Sequence, residues 1–120
     1  MLSKGMQNEQ DQRINSILEK LTTLTFVPNP EGIQNIEKYL HKVGMSFQDL
    51  QDFSSDELNA HLKKFNFGWD HFERFADLLL VWSSNEALLG FKEKAKGMYL
   101  YIQSESKSFS FEIMNKINQL

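Results

Sequence analysis

Three histidines, His41, His61 and His71, are the side chains best suited to acid–base or metal chemistry in this cysteine-free chain. A metal site favours histidines three or four residues apart with a further ligand close by, and these three have no such spacing. His61 and His71 flank the turn Phe65–Gly68, where a pocket including Glu57 or Asp70 is conceivable. The plainer expectation places all three histidines on the surface or at its boundary. Carboxylates pair at Asp56–Glu57 and at Asp70/Glu73. The first pair suits the opening turn of a helix, where negative charge meets the positive dipole end; the second suits a solvated face. General acid–base work requires a carboxyl shifted by a dry cleft, and nothing in the pattern marks one. The serines cluster at helix starts or in the run 104–110, with no glycine elbow to expose a nucleophile. Gly44, Gly68, Gly90 and Gly97 are isolated, so no phosphate cradle is formed. The reading assigns no catalytic residue, metal ligand or cofactor.

Lys92, Lys94, Lys96, Lys107 and Lys116 make the carboxy-terminal third the more basic part, with Tyr99 and Tyr101 among them. Such mixtures bind single-stranded nucleic acid when they line one groove. Alternate residues of a helix point in different directions, so the expectation is a solvated face, with weak nucleic-acid binding kept as an alternative. Thirteen basic against sixteen acidic residues, a net charge of −3, argue in the same direction, because phosphate binding needs clustered Lys and Arg.

The elements that would position these residues are helical. From Gly68 to Ile102 the periodicity predicts two helices meeting near Ser83-Ser84-Asn85. Phe72, Phe75, Ala76, Leu79 and Trp82 share one face of the first, and Asp70, Glu73, Arg74 and Asp77 the other. Its last turn, residues 78–82, is apolar all round and should be enclosed on every side. Ser83 and Glu86 have capping-box spacing, predicting a long second helix with Leu88, Phe91, Ala95, Met98, Tyr99 and Ile102 inward. Gly90 and Gly97 fall on its other side, beside Leu89 and Leu100. Interior helical glycine costs about 1 kcal/mol relative to alanine, so two invite a reason. One reading is a solvated face with a kink; the other is close approach of a second backbone, with Leu89, Gly90, Gly97 and Leu100 as an interface.

Earlier in the chain, residues 1–9 are polar and expected to be flexible. A helix from about Glu9 to Thr22 should bury Ile14, Ile17, Leu18 and Leu21. Leu24, Phe26 and Val27 read as a packed loop before Pro28 and Pro30. A second helix opens near Pro30 with Ile33, Ile36, Leu40 and Val43 inward, and Gly44 ends it. Ser46 and Asp49 start a short helix over residues 47–51, and Ser54 or Ser55 starts another carrying Leu58, Leu62 and Phe65. The last segment docks through Phe111, Met114 and Ile117, or through Phe109, Ile113 and Ile117.

Tyr39-Leu40-His41-Lys42-Val43-Gly44-Met45 followed by Phe53-Ser54-Ser55-Asp56-Glu57-Leu58 resembles the cadence of sterile alpha motif interaction domains. The resemblance covers about a third of the chain; the intervening helix is shortened, and the helix after Ser84 has no counterpart. Ala95, Tyr99 and Ile102 look like the second helix of a tetratricopeptide repeat, but Glu86 departs from that pattern and no second repeat follows. Neither family is assigned.

The expected architecture is all-α: one domain over residues 10–120, a bundle of five or six helices around a central helix 70–83 and a long helix 85–103. With 120 residues and 41% apolar composition the chain can bury one core. No stretch reaches the ~20 apolar residues of a membrane span, and the amino terminus has no apolar signal core, so the expected location is cytoplasmic. The expected role is non-catalytic: binding a protein partner, or a second copy of itself. The alternative in a different class is a small-molecule-binding bundle or enzyme with a pocket near His61 and His71.

Overall fold

Apolar residues recurring about once per turn become seven α-helices in the computed structural model, which describes residues 2–24 and 29–120, with side chains from Glu9 onward. They are α1 (Leu2–Thr23), α2 (Pro30–Leu40), α3 (Phe47–Asp52), α4 (Ser55–Lys64), α5 (Trp69–Trp82), α6 (Phe91–Glu105) and α7 (Phe111–Asn118). Single 3-10 turns follow α2 (His41–Val43) and precede α6 (Glu86–Leu88). The described residues are predominantly helical, with no strand among them. The seven correspond to the helical segments read one by one from the sequence, which is one or two more than the five or six of the expected bundle. The helix expected from about Glu9 begins at Leu2. The predicted loop residues Phe26 and Val27 lie outside the described residues.

The centre is the antiparallel pairing of α5 and α6, the most extensive in the fold. Phe72, Phe75, Ala76, Leu79 and Trp82 of α5 are buried, as are Phe91, Ala95, Met98, Tyr99 and Ile102 of α6. Each such large apolar side chain contributes on the order of 2 kcal/mol on leaving water. Around this pair α1 supplies Ile14, Ile17, Leu18 and Leu21, α2 supplies Ile36 and Leu40, and α4 supplies Leu58 and Leu62.

Three expectations about the central pair are corrected. The helix predicted over residues 85–103 is broken: the 3-10 turn Glu86–Leu88 comes first, and α6 starts only after Gly90. Ser83 and Glu86 do not form a capping box. The Ser83 and Ser84 hydroxyls donate backwards to the carbonyls of Leu80 and Val81, and Asn85 instead accepts the Ala87 N–H. Hydroxyls facing a finished helix compete for its free carbonyls, so they close α5 rather than open the next element. Nor is the last turn of α5 enclosed on every side, since Val81 is 68% exposed.

Local signals set the other boundaries. Asn29 caps α2 by accepting from Gly32 N. Ser46 with Asp49 and Ser54 with Glu57 form full capping boxes. Gly44 has φ 75° and the Phe65 ring lies against it, so close that no Cβ would fit.

Candidate functional site

The most unusual polar residue is His71, and the way α4 ends explains its setting. Asn66 adopts φ 66°, the Asn66 N–H bonds to Lys63 O, and the Phe67 N–H bonds to Leu62 O. This is a Schellman closure with asparagine in the glycine position. It turns the chain immediately into α5, whose N-cap is Gly68. Glycine has no side chain with which to cap, and His71, three residues on, supplies half of a capping box: its Nδ1 accepts the Gly68 N–H at 2.8 Å. The ring's other nitrogen, Nε2, lies 2.8 Å from Asp11 Oδ1 on α1. That carboxylate sits off the line of a straight hydrogen bond, leaving an essentially electrostatic contact. The Phe67 ring meets the imidazole edge-on at 5.7 Å.

His71 is 2% exposed, against the expectation of a surface or boundary histidine. Burial holds its pKa below the ordinary histidine value, Asp11 and Asp70 work the other way, and Arg74 adds to the lowering. Beside it is a hollow of about 330 Å³ bordered by Gln10, Asp11, Lys63, Asn66, Phe67 and His71. The sequence carried one signal for this role, the Gly68-to-His71 spacing of three, but histidine is not among the residues that define the motif.

His61 is not part of that hollow. Its Nε2 lies 2.8 Å from the Val43 carbonyl, and the ring sits between Phe53 and Phe65 at centroid distances of 5.4 and 5.0 Å. The imidazole thereby ties α4 to the turn after α2. His41 is exposed. Among the described residues no group of three or more His, Cys, Asp or Glu is placed to hold a metal ion.

The carboxylates and lysines divide in a way the sequence did not foretell. Glu57 accepts the Ser54 N–H, and this bond, with the Ser54 hydroxyl, lowers its pKa. Glu73 and Asp77, expected on a solvated face, are half-buried and hold Lys116 of α7 at 2.6 and 3.1 Å. Tyr99 donates its phenol to the same Asp77 at 2.5 Å. Burial first, and then Asp77, push the Tyr99 pKa well above the ordinary value. For Lys116 burial works to lower the pKa, but the bonds to Glu73 and Asp77 outweigh it and leave the ammonium above its usual value. Lys94 donates to the Phe53 carbonyl at 2.5 Å, and burial lowers its pKa. Two of the five carboxy-terminal lysines thus serve contacts within the chain, while Lys92 and Lys107 are exposed.

Of the four residues marked as an interface, Leu89 is 65% exposed, and Leu100 and Gly90 are exposed too. Gly97 differs: a Cβ there would stand 2.5 Å from Ser55 Cβ on α4. The close approach inferred from glycine is real at Gly97, but the neighbour belongs to the same chain. Asn59 of α4 reinforces it, its Nδ2 donating to Gly97 O at 3.4 Å. Among the described residues the most exposed aromatics are elsewhere, at the corner between α6 and α7. Phe111 is 79% and Phe109 59% exposed, their rings in edge-to-face contact at 5.0 Å. Ser110 caps α7 and is gripped by Gln103 from both sides, through Nε2 to Ser110 O and Oε1 from Ser110 N. That clamp fixes the corner and leaves the two rings outward. The expectation that Phe109 or Phe111 docks α7 is thus corrected; Ile113 is the buried residue.

Compared with family models, with curated proteins and with solved structures, the chain matches none.

Proposed function

We propose that this protein is a non-catalytic helical interaction module that works in the cytoplasm by binding another protein, with a second copy of itself as the partner to test first. The observation that carries the reading is the outward-facing pair Phe109 and Phe111, held rigidly by the Gln103–Ser110 clamp. Aromatic side chains on a fixed backbone bring contact area at little entropic cost, which is why they recur at the centres of interfaces. Leu89 and Leu100 add exposed apolar surface and are the second surface to test. The groups best able to do chemistry support the non-catalytic side of the proposal, because His61, His71, Lys94, Tyr99 and Lys116 all have partners within the chain. No helix among the described residues is long and apolar enough to cross a membrane.

Two rings fall well short of the ~800 Å² per partner typical of a stable complex, so self-association should be weak and concentration-dependent. Light scattering on a dilution series should give a mass rising above 14.0 kDa, and Phe109→Ser with Phe111→Ser should restore the monomer. Loss of association in Leu89→Ser with Leu100→Ser instead would transfer the interface to that surface. A strictly monomeric protein at millimolar concentration would end the self-association reading.

A small-ligand reading has one observation in its favour, the hollow beside His71. Isothermal titration with candidate ligands, compared between wild type and Lys63→Ala, tests it; no binding of any ligand would count against it.

A further inference from the structure

A histidine only 2% exposed, with its two nitrogens facing different elements, has one comfortable protonation state. Because Gly68 donates its N–H to Nδ1, that nitrogen bears no proton, and the neutral ring carries its proton on Nε2, the nitrogen 2.8 Å from Asp11 Oδ1. A second proton on Nδ1 would set two N–H groups against each other across 2.8 Å. The bond to Gly68 must then break, and Gly68 has no side chain to replace it. The charged groups around the ring come from each element packed on it. Asp11 of α1 and Asp70 of α5 favour a cationic ring, Arg74 of α5 opposes it, and Lys63 of α4 adds a further positive charge on the same hollow.

We propose that His71 is a proton-operated latch on the start of α5: neutral, it caps the helix through Gly68 while facing α1; protonated, it lets go of Gly68 and opens the α4–α5 turn towards the hollow. The movement is local. Ile14, Ile17, Leu18 and Leu21 still fasten α1 to the body, and the loss of one hydrogen bond cannot offset the burial of four aliphatic side chains. The sign follows from linkage. The folded-state pKa lies below the unfolded value of about 6.5, so over the interval just beneath it the unfolded or opened chain binds more protons. Closure is complete above about pH 6.5 and is lost as pH falls from there towards the folded-state value.

Amide hydrogen exchange and NMR titration of the full chain test this. From about pH 8 to about pH 5, after correction for intrinsic exchange, protection of the wild-type Gly68 amide should fall, by up to tenfold per pH unit below about 6.5. His71→Gln keeps an acceptor at the third helical position without a titrating group, so its Gly68 protection should stay flat. Asp11→Asn removes a group that favours the cation, and should move the ring's own titration to lower pH. Constant Gly68 protection in the wild type, or a His71→Gln protein that follows the wild type, would overturn the latch. Should His71→Gln fail to fold, Asp11→Asn decides: a ring titration unmoved or raised removes Asp11 from the device and overturns the proposal as stated.

Discussion

Gly90 and Gly97 look alike in the sequence and differ by what a methyl group would meet. At Gly90, which has ordinary right-handed angles, a Cβ would meet nothing within 4 Å. Gly90→Ala should therefore stabilise the protein by about 0.4–1 kcal/mol, mainly by restricting the unfolded chain. At Gly97 the Cβ would strike Ser55 Cβ, which is joined directly to the backbone and cannot swing away. Overpacking of that kind costs about 1–3 kcal/mol, enough to outweigh the gain in helix propensity. Chemical denaturation of both variants checks the pair, and a stabilised Gly97→Ala would show that α4 and α6 are not in tight contact. The legibility of the site had the same limit: two unexplained glycines were visible, but the cause at Gly97 is Ser55, distant in the chain, and at Gly90 no neighbour requires glycine.

At the scale of elements, α7 shows how a short helix is kept in place. Eight residues form few internal hydrogen bonds, and an isolated helix of that length is not stable in water. Buried Ile113 holds it, as does Lys116, which reaches Glu73 and Asp77 of α5 where Tyr99 of α6 also arrives. Three helices meet at one carboxylate. Tyr99→Phe should cost about 1.5–3 kcal/mol, because the lost bond runs to a charged group. Lys116→Met should cost about 1 kcal/mol, its charge being part-solvated. Thermal unfolding of the double variant should depart from the sum of the two, since both side chains serve Asp77; strict additivity would mean they act apart. Helix existence was readable from apolar spacing, and the caps at Ser46 and Ser54 from local residue types. The start of α6 was not, because Ser83 and Ser84 can bond forwards or backwards and only the completed end of α5 settles which.

For the whole molecule, a radius of gyration of 14.3 Å is close to the ~14 Å of a well-packed domain of this length. The outward Phe109 and Phe111 are therefore not symptoms of a loose body. Substituting both with serine should leave stability within about 0.5 kcal/mol, as for surface positions generally, while removing any self-association. A large drop in melting temperature would mean that the rings pack within the chain instead, and would withdraw the interaction surface with it.

By itself the sequence determined that the chain is all-α, which residues line the core of α5 and α6, and where glycine and serine punctuate the rods. Those features depend on neighbours three or four residues away, so a one-dimensional pattern contains them. The tertiary structure alone decided that His71 is buried as a cap, that Gly97 makes room for Ser55, that Asp77 gathers Tyr99 and Lys116, and that Phe109 and Phe111 stay outside. The first three depend on distant segments brought to within a few ångströms, where solvation and steric exclusion act on groups that have no special spacing along the chain; the last depends on how the Gln103–Ser110 clamp sets the corner before α7.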